Sequence, residues 1–158
     1  MPTFYDSVGV EPTYELAENI IKAIIQNLKH AIDCSNILPT EPEYTKYSIE
    51  RLGYRCISRF TINKYETLSA LQIIINHFPD ILIKGDNSLR IKNSSKHLLN
   101  ANDLLIMDYY YLLLSEYEER VSKHQQYIKK QQDRQRNKLL LVLLVPFIMI
   151  TCMFLVGD

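Results

Sequence analysis

Glycine is scarce in this chain, with four among 158 residues, at positions 9, 53, 85 and 157. A loop that cradles phosphate brings backbone N–H groups close to the anion and needs glycine to do it. No P-loop, Gly-x-Gly-x-x-Gly or Gly-x-Ser-x-Gly element occurs, so the phosphate-binding and nucleophile-elbow chemistries lack their local signatures. The three cysteines, Cys34, Cys56 and Cys152, are widely spaced and match no metal-ligand pattern. The histidines, His30, His77, His97 and His124, pair with no cysteine or carboxylate at ligand spacing. No catalytic residue, cofactor site or metal site is expected, and an enzyme is not the expected reading. Tryptophan is absent as well, which by itself excludes nothing. Net charge is also missing: 18 basic residues balance 18 acidic ones. The whole chain therefore offers no electrostatic case for nucleic acid, and no nucleic-acid partner is expected. The opening MPTFYDSVGVEP has neither the basic start nor the apolar stretch of a signal peptide.

Long apolar runs are equally rare, and the single one dominates the reading. Residues 139–156, LLLVLLVPFIMITCMFLV, contain no charge over eighteen positions. That is long enough to cross a bilayer core as a helix. A head of this size cannot surround a segment that is apolar on every face. Pro146 is compatible with a membrane helix, where neighbouring groups re-satisfy the freed carbonyl. The run is followed only by Gly157 and Asp158, so a tail-anchored protein with one C-terminal transmembrane helix is expected.

The flank sets the orientation. From 121 to 138 the basic residues Lys123, Lys129, Lys130, Arg134, Arg136 and Lys138 face one acid, Asp133. The positive-inside rule places that side, and the head with it, in the cytoplasm. Lys129, Lys130, Arg134, Arg136 and Lys138 form the membrane-proximal basic group, suited to anionic headgroups, and the lipid bilayer is an expected partner. Without this stretch the head is mildly acidic.

The head reads as mainly α. Glu11-Pro12-Thr13 turns into a strongly amphipathic helix over about 14–33, with Ala17, Ile20, Ile21, Ile24, Ile25, Leu28, Ala31 and Ile32 at three- and four-residue steps. A loop holding Pro39 and Pro42 follows, then a second helix over about 43–60 and a third over about 63–77, ended by Pro79. Residues 81–83 and 89–91 flank Gly85-Asp86-Asn87, which suggests a small β-hairpin near 81–91. A loop fits equally, since an isolated hairpin is marginal in water. A further helix is expected from about 102 to 138, with Asn102 as N-cap and Leu104, Leu105, Tyr109, Leu112, Leu113, Tyr117 and Val121 as its apolar members. Beyond 121 it becomes a polar stalk continuous with the anchor.

The residues Phe4-Tyr5-Asp6-Ser7-Val8-Gly9-Val10, a turn, and Ile20-Ile21-Lys22-Ala23 resemble the opening of a J domain, the DnaJ-type co-chaperone module. Tyr54-Arg55-Cys56-Ile57-Ser58 with Asn63-Lys64-Tyr65-Glu66 looks like the end of that family's third helix and its continuation. The resemblance covers about residues 1–70 and implies an antiparallel helix pair. It departs at the decisive loop, where Ala31-Ile32-Asp33-Cys34-Ser35-Asn36 holds no His-Pro-Asp triplet. His77-Phe78-Pro79-Asp80 carries an inserted phenylalanine and follows a different helix. What the resemblance implies is an adaptor or regulator that has lost the standard activity, partnered by a chaperone, a J protein or a membrane assembly. The family's basic helix face is thin here: Lys22, Lys29 and His30 stand against Glu15 and Glu18.

The organisation expected is a J-like domain at 1–70, a helical extension at 71–120, a basic juxtamembrane stalk at 121–138 and the span at 139–156. Candidate partner-binding residues are Lys22, Lys29, His30 and Asp33, with Tyr110 and Tyr111 from a tyrosine triplet. Three consecutive tyrosines span most of a helix circumference, so one packs inward while another is exposed; tyrosine is also enriched at interfaces. The function expected is a membrane-tethered, non-catalytic interaction module. Two alternatives stand beside it: a membrane-bound winged-helix transcription regulator, using helix 63–77 and the 81–91 hairpin, and a tail-anchored apoptosis-type regulator. A fusion-type coiled coil ranks lowest for want of sustained heptads. Oligomeric state stays open.

Overall fold

The computed structural model describes residues 8–35, 43–51 and 64–155. In chain order these form α1 (Tyr14–Ser35), β1 (Tyr44–Ser48), α2 (Lys64–His77), β2 (Leu82–Lys84), β3 (Ser88–Lys92), a 3-10 helix (Asn93–Leu98) and α3 (Asp103–Leu155). The architecture is mainly helical with a three-stranded sheet and a long apolar C-terminal helix, the fold class expected. The chain divides into two compact units, residues 11–116 and a second built on residues 117–155.

In the first unit α1 starts where a side chain can cap it. The Leu16 N–H donates to Thr13 Oγ1 at 3.1 Å, and the Ala17 N–H to the Thr13 carbonyl at 3.1 Å. Thr13 is thus the N-cap, and Pro12 lies before the helix instead of in its first turn. One face of α1 buries Ala17, Ile20, Ile21, Ile24, Ile25, Leu28 and Ile32. Each fully buried isoleucine contributes about 1.5–3 kcal/mol, so this face supplies much of the core.

The helix expected over 43–60 begins as a strand. Tyr44–Ser48 alternates inward and outward, with Thr45 and Tyr47 buried while Lys46 and Ser48 are exposed. Aromatic and β-branched residues at a two-residue period favour that pleated state. Its stabilisation is non-local, because β1 pairs antiparallel with β3, Thr45 opposite Ile91 and Tyr47 opposite Leu89. Residues 49–51 are helical, and the rest of that expected helix, 52–60, lies outside the described residues.

The hairpin is present: β2 pairs with β3, giving the sheet order β1-β3-β2. Its turn closes with the Gly85 N–H donating to the Ser88 carbonyl at 2.7 Å. A Cβ on Gly85 would lie 3.2 Å from Ser88 Oγ and 3.3 Å from that carbonyl oxygen, so glycine suits this close approach. Leu82, Leu89 and Ile91 face inward onto α1 and α2 residues of the same core. On the outer face Lys46 stands opposite Arg90, a like-charge pair that by itself destabilises. The Arg90 guanidinium instead lies over the Tyr44 ring, 4.6 Å from its centroid, where the ring quadrupole attracts it.

α3 begins as expected. The Leu105 N–H donates to Asn102 Oδ1 at 2.9 Å and the Ile106 N–H to the Asn102 carbonyl at 3.1 Å. An Asn102→Ala variant removes the side-chain acceptor, and chemical denaturation is expected to show a loss of about 1 kcal/mol. An unchanged midpoint would show that the cap does not hold this end. Leu105, Ile106, Tyr109 and Leu113 are the buried residues of α3. Leu104, one of the apolar members of the pattern, is 64% exposed.

In the second unit α3 runs on through the basic stretch and the apolar run. Residues 139–155 are helical and exposed throughout, and this helix is long and apolar enough to cross a membrane. Pro146 interrupts the hydrogen-bond ladder within it. One turn later Thr151 Oγ1 is within 3.0 Å of the Phe147 carbonyl and 2.9 Å of the Ile148 carbonyl, so its polar group is satisfied inside the helix.

Candidate functional site

Four of the expected contact residues lie along α1, and each has a partner within the fold. Lys22 Nζ pairs with Glu18 Oε1 at 2.5 Å, one turn back. Lys29 Nζ donates to Asn100 Oδ1 at 3.2 Å, and Asp33 takes the ammonium of Lys96. His30 Nε2 lies 3.4 Å from Cys34 Sγ. Lys29 and Asp33 thus fasten the end of α1 to the segment that leads into α3. Sequence reading missed this role because the partners are 71 and 63 positions away.

The tyrosine triplet divides as its spacing requires. Tyr109 is fully buried, Tyr110 is partly covered and Tyr111 is 56% exposed. Tyr110 is the hinge of an aromatic row, meeting Tyr14 of α1 edge-on with centroids 6.1 Å apart and Tyr111 at 5.7 Å. Such pairs contribute about 0.5–1.5 kcal/mol beyond their buried area. Tyr14 was not among the expected contact residues. On the same turns of α3 as its partner Tyr110, Leu104, Met107 and Tyr111 are exposed.

The Tyr14 phenol is raised above the ordinary tyrosine value. Desolvation is the largest cause, followed by the carboxylates of Asp103 and Glu18, with Lys22 opposing them. A pKa raised by folding stabilises the head fully below the unfolded value of about 10, and that contribution is lost as pH rises through the folded value. The difference between phenolate absorbance titrations of the protein and its Tyr14→Phe variant is expected to show one tyrosine ionising above about 10. Ionisation of that tyrosine at or below the ordinary value would remove this account of its surroundings.

His77 Nε2 lies 2.7 Å from Asp108 Oδ2, joining the end of α2 to α3. Among the described residues no group of three or more His, Cys, Asp and Glu side chains is arranged to hold a metal. A cavity of about 470 Å³ lies between the end of β1 and the hairpin, lined by Ser48, Glu50, Leu68, Lys84 and Asp86 among others. Its Lys84 is engaged with Gln72 Oε1 at 3.0 Å.

In the second unit Lys129, Lys130, Arg134, Arg136 and Lys138 are all exposed, and Arg136 approaches Asp133 at 3.8 Å. At 100° per residue these cations spread over about 200° of the circumference of α3 and leave the remaining side without one. Comparison with protein-family models, curated proteins and solved structures gives no match to this chain.

Proposed function

We propose that this protein is a membrane-tethered, non-catalytic interaction module whose head faces the cytoplasm. The observation that carries this reading is the uncharged, exposed helix of residues 139–155 directly after a basic stretch. Apolar surface of that extent needs a lipid or protein environment, and the basic stretch supports the cytoplasmic side for the residues before it. The full chain in isolated membranes is expected to resist alkaline extraction, with its head cleaved by protease added to the cytoplasmic face. Release at alkaline pH, or a protected head, would overturn the reading.

A J-like adaptor is one form of this module. Ile20-Ile21-Lys22-Ala23 on α1 supports it, while Phe4–Ser7 and residues 54–60 lie outside the described residues. Tyr44–Ser48, the stretch where the second arm of a J-like helix pair would open, is a strand.

A second reading, a winged-helix regulator, has one observation in its favour. The hairpin β2–β3 follows α2 as a wing follows a recognition helix, and β1 completes a sheet of order β1-β3-β2. Charge weighs against DNA as its ligand. Residues 11–116 carry 13 acidic against 11 basic side chains, whereas phosphate-backbone binding needs a basic surface. Duplex DNA titrated into the full chain at low and moderate salt separates the two. Binding that falls steeply with salt would favour the regulator.

A further inference from the structure

The first turns of α3 are apolar on two opposite sides. Leu105, Ile106, Tyr109 and Leu113 are buried in the head. Leu104, Met107, Tyr111 and Leu114 follow the 3-4-3 spacing of a helix-pairing seam on the other side. Leu104 is 64%, Tyr111 56% and Met107 39% exposed, and Leu114 is partly covered. A helix that only closes a head core has a polar outer face. Contiguous exposed apolar surface of this kind marks an interaction site.

The rim of the seam decides what covers it. The α3 acids flanking it are Asp103 and Asp108, the latter paired with His77 of α2, and between 103 and 116 α3 carries no lysine, arginine or histidine. The nearest cation on α1, Lys22, is tied to Glu18. The raised phenol of Tyr14, due in part to Asp103 and Glu18, reports the same negative surroundings. A second copy of this chain would bring acids against acids, and like-charge juxtaposition disfavours that pairing. A helix with an apolar stripe between lysines or arginines meets both features at once.

We propose that the Leu104–Met107–Tyr111–Leu114 seam, with Tyr14 beside it, is the docking surface for a basic amphipathic helix of a partner protein. This assignment rests on the interaction-module reading and names the partner's chemistry.

The test uses the full chain in neutral-lipid nanodiscs and two fluorescent helical peptides of about five turns. Both carry the same leucine stripe, flanked by lysines in one and by glutamates in the other, with empty nanodiscs as background. The Leu–Lys peptide is expected to bind at least about tenfold tighter than the Leu–Glu peptide, and more weakly at high salt. A double variant, Met107→Ser with Tyr111→Ser, is expected to lose about tenfold in that affinity while its head keeps the circular dichroism of the unmodified head, and Asp103→Asn is expected to weaken it alone. Equal binding of both peptides, or binding indifferent to the double variant, would overturn the proposal. So would self-association of the chain that the double variant abolishes, since the occupant would then be a second copy. Benzophenone placed at position 111 or at position 72 in native membranes separates the two levels of inference. Crosslinks to protein from 72 but not from 111 would remove this surface and leave the module reading standing. Crosslinks from neither would remove both.

Discussion

Tyr109→Ala is expected to remove about 3–5 kcal/mol from the stability of the head, the range for emptying a buried aromatic site. Tyr109 is the largest of the fully buried side chains and packs in the cluster with Leu105, Ile106 and Leu113 from its own helix. Domains are stable by only about 5–15 kcal/mol, so a loss of this size leaves the head marginal. Chemical denaturation of the full chain in mild detergent, followed by near-ultraviolet circular dichroism, measures it. Tyr111→Ala supplies the control two positions away. That side chain is 56% exposed and meets only the Tyr110 ring among the aromatic contacts described, so its loss should cost no more than about 1.5 kcal/mol, well below the Tyr109 effect. Equal effects of the two substitutions would mean that α3 does not present the faces described.

The second large effect concerns the other end of the same helix. Leu144→Arg combined with Ile148→Arg places two charges near the middle of the apolar run. Each replaces a favourable residue by one that costs about 2.5–3.5 kcal/mol at the centre of a membrane helix. The double variant is expected to move from the membrane pellet to the soluble or aggregated fraction. Its head should still melt as the unmodified head does, because residues 139–155 contribute no buried side chain. Retention of the double variant in membranes would show that something other than this helix holds the chain there. The two experiments are reciprocal: the first changes head stability without changing attachment, and the second does the reverse.

Local signals in the sequence account for what was legible. The α1 stripe of isoleucines, the Asn102 cap and the turn at Gly85 each declare themselves within a few residues, through periodicity, side-chain capping or turn chemistry. The tyrosine triplet could also be divided into inward and outward members from helical geometry alone. What was not legible depends on distant residues. β1 is a strand because β3, more than forty positions later, supplies its partners; alone, the stretch reads as a helix start. Lys29 and Asp33 read from the sequence as contact residues, whereas the fold pairs them with Asn100 and Lys96. The seam on α3 is an intermediate case. Its 3-4-3 spacing was visible, but two interleaved apolar stripes on one helix cannot be ranked until the core shows which of them it takes.

The outer face of the sheet carries a consequence for crowding. Among the described residues β1 and β2 are the sheet edges, and an open edge is a template for pairing with another chain. β2 is only three residues long and ends in Lys84, while the middle of β1 is Lys46, exposed. Short length and lysine are the usual means by which edges are blunted. Confinement of many heads to a two-dimensional surface would raise their encounter frequency. Lys46 and Lys84 then act as spacers that keep neighbouring sheets from joining, and neutralising both should show first as clustering of heads before any loss of folding.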